Sequence, residues 1–184
     1  GRHHQIELLP FSFADFCAYK KIATSPLTTK NRGLLAAAFD EYMKLGGFPE
    51  LMSEQDSKSY IDSLLNDIIR QDIQKRFKIK YIDTLEHLAN HLLNEAPAVI
   101  VKETLQTLFN FNSSHSLGNY LSYLEQTYLI STVSKYSAKS RQRIRNAKYY
   151  AIDVALMNRR KDAFSGENLG FRLEAIVYLE LKRR

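Results

Sequence analysis

Apolar residues recur at helical spacing through most of the chain, and strand-like alternation is confined to a few short stretches. Leu35, Ala38, Phe39, Tyr42 and Met43 lie three and four residues apart, which predicts a helix from Asn31 to Leu45. Gly46-Gly47 supplies a C-cap for it, and Pro49 prevents its continuation. The next stripe, Ile61, Leu64, Leu65, Ile68, Ile69, Ile73 and Phe77, predicts the longest helix in the chain, with Asp72 placed four residues before Arg76 as a surface pair. Upstream, QIELL at 5–9 reads as an extended run stopped by Pro10, because the residue before a proline is pushed out of the helical region. A short helix then begins after Ser12, a fitting N-cap with Asp15 in the capping-box position.

The pattern changes near Tyr81. Leu85, Leu88, Ala89, Leu92 and Leu93 make a helix ended by Pro97, VIV at 99–101 is briefly extended, and Glu103 to Phe109 is a second, shorter helix. After the turn FNSSHS, the row Leu117, Tyr120, Leu121, Leu124 and Tyr128 predicts a third helix, capped by Ser114 or Ser116. Two strand-like runs follow, YLISTVSKY and KYYAID, separated by a polar loop. Three helices and then a hairpin is the order of a winged helix, whose third helix is the usual reader of DNA and whose hairpin is the wing. A polar, glycine-containing stretch, NRRKDAFSGENLG, leads to a last helix marked by Leu169, Leu173, Ile176, Val177 and Leu181. That apolar stripe needs a partner surface, so the helix either folds back or stands as an orphan. The expected fold class is mainly α: a helical segment, a winged helix of three helices plus a β-hairpin wing, and an orphan C-terminal helix.

Composition adds bounds rather than detail. With 184 residues, 45% hydrophobic and 25% charged, the chain matches a globular protein of one domain or two small ones. The single Cys17 excludes a disulfide framework and a multi-cysteine metal site. No apolar run approaches the ~20 residues of a membrane span, and GRHHQIELLP lacks a signal-peptide pattern; a soluble, cytoplasmic protein without a membrane partner is expected.

The net charge of +6 changes the picture because it is unevenly placed. SKYSAKSRQRIRNAKYY, residues 134–150, carries Lys135, Lys139, Arg141, Arg143, Arg145 and Lys148 and no acid, at the tip of the expected wing. Lys139, Arg141, Arg143, Arg145 and Lys148 are therefore the candidate phosphate contacts for a nucleic acid. The expected reader helix is electrically bare: between Lys102 and Lys135 there is no Lys or Arg, and its solvent face offers Asn119, Ser122, Tyr123 and Gln126. Base reading in the major groove relies on Arg, Lys, Asn and Gln, so weak wing-tip contact is the stronger expectation.

Other chemistry is sparse. His3 and His4 are adjacent and would diverge on a strand; His87 and His91 have helical ligand spacing but no H-E-x-x-H context. Cys17 sits among Phe13, Phe16 and Tyr19 and reads as a small buried hydrophobe. Asp153, Glu167 and Glu174 do not by spacing alone make a Mg²⁺ site, and no phosphate-binding loop occurs. No catalytic residue, metal ligand or cofactor is expected within this chain.

Six ordered phrases carry a resemblance: GRHHQIELLPFSFADF, YMKLGGFPEL, LLNDIIRQDIQKRF, NYLSYLEQTYLI, KYYAIDVAL and ENLGFRLEAIVYLELKRR. Together they resemble a family of bacterial and archaeal AAA-type ATP-binding proteins with a domain of unknown function after the P-loop domain. The resemblance implies that residues 1–30 are the tail of an ATPase domain and linker, 31–79 a helical segment, 80–155 a winged helix, and 156–184 a linker and the first helix of a truncated nuclease-like domain. It places Arg2 near the nucleotide end of the ATPase core and Glu174 on the first nuclease-like helix. ATP and Mg²⁺ then belong to a parent protein, whose ATPase domain is this fragment's expected partner. The fragment, inactive alone, would couple nucleotide state to a further partner, or, as an alternative, bind DNA as a winged-helix regulator. An uncovered apolar stripe on the last helix also implies self-association.

Overall fold

Ser12 opens the first helix as the sequence suggests. Its hydroxyl accepts the Asp15 N–H at 3.1 Å, and the Asp15 carboxylate accepts the Ser12 N–H at 2.9 Å, closing a capping box on α1 (Phe13–Tyr19). The computed structural model describes residues 4, 6–79, 81–134, 147–158 and 169–184. Helix α2 (Thr29–Leu45) is capped by Thr28 and ends at Gly46, whose φ of +82° suits glycine. Phe16, Ala38 and Tyr42 form a small core between α1 and α2, with Phe13 edge-on to Phe39 at 5.0 Å.

A 3-10 turn (Pro49–Met52) leads to α3 (Ser57–Asp67), which passes through a π-helical turn (Ile68–Ile73) into α4 (Gln74–Phe77). This is the long helix of the sequence reading, with an irregular middle. The cause lies in the spacing. Residues 61, 65, 69 and 73 are all buried and recur every fourth position, and in an α-helix a four-residue step overshoots one turn by about 40°. The wider π turn holds more residues per turn and keeps the row on one face. Arg70, within that turn, pairs with Glu86 of the next helix at 2.7 Å.

Helix α5 (Ile82–Glu95) buries Leu85, Leu88, Ala89, Leu92 and Leu93 and stops before Pro97. Strand β1 (Ala98–Val99), α6 (Lys102–Leu108) and α7 (Ser114–Gln126) follow. The cap of α7 is Ser113, not Ser114 or Ser116: its hydroxyl accepts the Ser116 N–H at 3.1 Å. Strands β2 (Ile130–Ser134) and β3 (Ala147–Ala151) pair antiparallel, from Ile130 opposite Ala151 to Ser134 opposite Ala147. β1 joins the other edge of β3, with Ala98 opposite Tyr149, so the sheet has three strands in the order β1-β3-β2. The sequence reading saw residues 99–101 as extended but not as a sheet partner.

Helix α8 (Val154–Met157) leaves the sheet, and α9 (Leu169–Arg183) packs back across it. Tyr178 of α9 stacks on Tyr150 at 3.9 Å, and its hydroxyl bonds that of Ser131 at 2.6 Å. The last helix is therefore not an orphan. Its buried face consists of Arg172, Ala175 and Leu179, while Leu169, Leu173 and Val177 remain about half exposed and Leu181 more so. One buried cluster runs from Leu51 to Leu179 through α3, α5, α7, the sheet and α8, and the described residues are mainly helical.

Candidate functional site

Among the described residues the most buried charged group is Asp153, 1% exposed, at the turn between β3 and α8. Its extended backbone makes it the N-cap of α8, and Oδ1 accepts the Ala155 N–H at 2.7 Å. Oδ2 accepts the Gly47 N–H at 2.8 Å, across 106 residues of sequence. A Cβ on Gly46 would lie 2.0 Å from Oδ1, so only glycine lets the chain approach this closely. Gly47 in turn accepts the Phe11 N–H at 2.7 Å, and the Phe11 carbonyl accepts the Tyr42 hydroxyl at 2.7 Å. Arg183, near the end of α9, donates to the Pro10 carbonyl, and Lys182 pairs with Glu7 at 3.0 Å. Asn158 donates to the carbonyls of Met43 (3.1 Å) and Lys44 (2.6 Å), satisfying the end of α2.

Four separate segments thus gather around one carboxylate: the end of α2 and the turn after β3 bond it directly, residues 7–11 join through Gly47, and the end of α9 joins through Pro10 and Glu7. Burial raises the Asp153 carboxyl to about 6, against the opposing pull of the Ala155 and Gly47 N–H groups and the Arg183 charge. Burial, with the Asp153 charge, also holds the Tyr42 hydroxyl well above its ordinary value. A carboxylate so enclosed, with both oxygens engaged, ties segments together rather than acting on a substrate.

The expected nucleic-acid contacts divide. Lys139, Arg141, Arg143 and Arg145, with Lys135, lie outside the described residues, as does Arg2. Lys148 is on β3, where its ammonium pairs with Glu174 of α9 and stands 5.8 Å from the Tyr150 ring centre. The Tyr150 hydroxyl also donates to Glu174 at 2.8 Å. Burial opposes ionisation of Glu174, yet Lys148 and Tyr150 hold it below its ordinary value. Burial, with Glu174 beside it, pushes the Tyr150 hydroxyl up to about 12.

Asp153 and Glu174 therefore serve different partners, and Glu167 lies outside the described residues. His91 packs edge-on to Phe109 at 5.5 Å, and among the described residues no group of His, Cys, Asp or Glu is arranged to hold a metal. Cys17 is fully buried, and burial raises its thiol. No helix among the described residues is long and apolar enough to cross a membrane.

The model of a domain of unknown function, DUF8612, matches residues 36–166, from within α2 to beyond α8. The chain belongs to the DUF8612 family. The matched span of this DUF8612 domain includes Gly46, Gly47 and Asp153, three members of the buried node, while Pro10 and Arg183 flank it. An uncharacterised protein of Methanocaldococcus jannaschii is 32% identical over 192 aligned residues, covering all of this chain and 43% of that protein. An uncharacterised protein of Haemophilus influenzae is 27% identical, again over the whole chain and 46% of its own length. The chain spans less than half the length of these curated relatives. No solved structure matches it.

The sequence reading noted Gly46, Gly47 and Asp153 separately, the glycines as helix-stop chemistry and the acid as one of three whose spacing does not make a metal site. It missed their partnership, and Arg183 with it. The available signal was the combination of two adjacent glycines, where one suffices for a C-cap, with an acid directly after a strand.

Proposed function

We propose that this chain is the C-terminal, regulatory part of an AAA-type ATPase and couples the nucleotide state of a P-loop domain to a partner. The observation that carries the reading is the node at Asp153. Residues 7–11, within the proposed tail of the ATPase domain, are fastened to α2 and α9 and, through Gly47, to the turn after β3. Displacement of Phe11 would be passed to the hairpin and to α9, because the intervening contacts are buried and packed. ATP and Mg²⁺ would bind in the P-loop domain and not in this chain. The relay would end in a winged helix at residues 80–155, a reading supported by the order α5, β1, α6, α7, β2, β3 and the sheet order β1-β3-β2.

The test is nucleotide binding and turnover by the intact protein. It should bind ATP with Mg²⁺, and Asp153→Asn should change its turnover while leaving ATP affinity within about twofold. An intact protein that does not bind ATP would end this reading.

The hairpin favours a second reading, a winged-helix regulator held to DNA by the phosphate contacts of Lys139, Arg141, Arg143, Arg145 and Lys148. Helix α7 contains no Lys or Arg, so sequence-specific reading would have to come from elsewhere. Duplex binding by this route should fall steeply with salt and be lost in Arg141→Ala plus Arg143→Ala. Binding that ignores salt and both substitutions would reject it.

A further inference from the structure

A cleft of about 380 Å³ lies where the start of α5 meets the turn between α6 and α7, and no residue of the Asp153 node lines it. Tyr81, Phe109, Phe111 and Tyr120 supply its aromatic surface, and Thr84, Asn110 and Asn112 are among the polar groups beside them. Phe111 and Tyr120 meet edge to face, with ring centres 5.0 Å apart and planes at 81°. Tyr81 is 62% exposed, and its carbonyl accepts the Tyr120 hydroxyl at 3.5 Å, which ties the two sides of the cleft together.

The polar groups have capacity to spare. Asn110 occupies the left-handed region, φ +52°, where its backbone closes the C-terminus of α6 through a bond to the Thr107 carbonyl. That uses its main chain and not its side chain. The amides of Asn110 and Asn112 are exposed to solvent. Each amide carries both a donor and an acceptor, which suits the mixed edge of a heterocycle.

The aromatic surface continues along α7. Tyr120 and Tyr123 stand 6.1 Å apart, Tyr123 stacks on Phe77 at 4.0 Å, and the Arg76 guanidinium lies 5.1 Å from the Phe77 ring centre. Lys75 and Lys78 are exposed on either side. The helix that looked electrically bare in the sequence therefore has cations set beside it by α4, a helix nearly fifty residues away in sequence.

We propose that this cleft binds a nucleobase: the rings of Tyr81, Phe111 and Tyr120 cover its face and the amides of Asn110 and Asn112 bond its edge. Its size falls within the range of ordinary ligand sites, roughly 300–1,000 Å³. The same chemistry arises from a free nucleoside or from one base of a single strand whose phosphates would lie toward Arg76 and Lys78. The site is independent of the ATPase reading, since it requires no nucleotide in a P-loop domain.

The experiment titrates the protein with adenosine, guanosine, cytidine and thymidine at millimolar concentration. It repeats the titration with twelve-residue single-stranded oligonucleotides of each base, following backbone amide shifts by NMR. Shifts should centre on Asn110, Phe111, Asn112 and Tyr120. Tyr81→Ala should weaken binding by about tenfold, the loss of one stacked ring, while Tyr81→Phe should stay within about twofold. Because Tyr81 is largely exposed, both variants should keep the wild-type far-ultraviolet dichroism. Saturation by nucleosides identifies a free small molecule as the source, and a response to oligonucleotides alone identifies a single strand. No localised shift with any of these probes, or affinity unchanged in Tyr81→Ala, overturns the proposal.

Discussion

Replacing Gly46 with Ala tests the packing of the node where it leaves least room. Gly46 has φ +82° and ψ −166°, a region almost reserved for glycine, which costs other residues on the order of 1–3 kcal/mol. The added Cβ would stand 2.0 Å from Asp153 Oδ1, 2.7 Å from Ala155 Cβ and 2.8 Å from the Ala155 nitrogen. Two of these neighbours belong to backbone or near-backbone atoms and cannot rotate away, so Asp153 has to move. Its movement would break the bonds to the Gly47 and Ala155 N–H groups, and each buried donor left unpaired costs about 1–3 kcal/mol. The combined loss is about 4 kcal/mol or more, a large part of the 5–15 kcal/mol typical of a folded domain. Gly33→Ala and Gly118→Ala serve as controls, because nothing lies within 4 Å of an added Cβ at either. Both lie inside helices and should gain roughly 0.5–1 kcal/mol. Urea unfolding followed by circular dichroism at 222 nm reads all four proteins. A Gly46→Ala midpoint equal to wild type, with an unchanged slope, would refute the close approach.

Three further outcomes follow from the same contacts. Asp153 has a folded pKa of about 6 against an ordinary 3.8, so the folded state holds its proton more tightly and this group's contribution is greatest in acid. It should decline as pH rises from about 4 to about 6, by roughly 3 kcal/mol. The stability difference between wild type and Asp153→Asn, measured across pH 4–7, isolates this slope, and a difference that rises with pH would contradict it. Ile73→Ala removes a fully buried side chain beneath the π turn and should cost about 2–5 kcal/mol in the same urea assay; a loss below 1 kcal/mol would mean the row is not packed as described. Tyr178→Phe keeps the stack on Tyr150 and loses the bond to Ser131, a cost of about 1 kcal/mol. Tyr178→Ala should in addition raise amide exchange along α9, and equal effects of the two would show that the stack contributes nothing.

Local rules carried most of the element-by-element reading. The capping box at Ser12, the glycine stop after Leu45, the stop before Pro97 and the apolar faces of α3 and α5 each depend on residues a few positions apart. What escaped depends on distant partners. A two-residue strand such as β1 has no pattern of its own and is defined by Tyr149 and Lys148 on β3. The irregular middle of the α3–α4 run was visible as a strict four-residue step, but only when compared with the 3.6-residue turn. Of the five apolar residues that marked α9, only Ile176 packs against the core, and the other four outweighed Ala175 in the pattern. Small Ala175 and Leu179 are what the sheet and α8 leave room for. The Asp153 node joins residues 106 positions apart and had no local signature beyond two glycines and one acid. For the candidate nucleobase cleft, the cations beside α7 come from α4, so a count along α7 alone missed them.

Amide hydrogen exchange on the intact protein, with and without ATP and Mg²⁺, bears most directly on the coupling role. The account predicts that nucleotide slows exchange at Phe11 and at residues 46–47 and 153–157 together, and that Asp153→Asn abolishes the change at 153–157 while leaving nucleotide bound. Exchange at those segments that is indifferent to bound nucleotide, or that responds equally in Asp153→Asn, would contradict it.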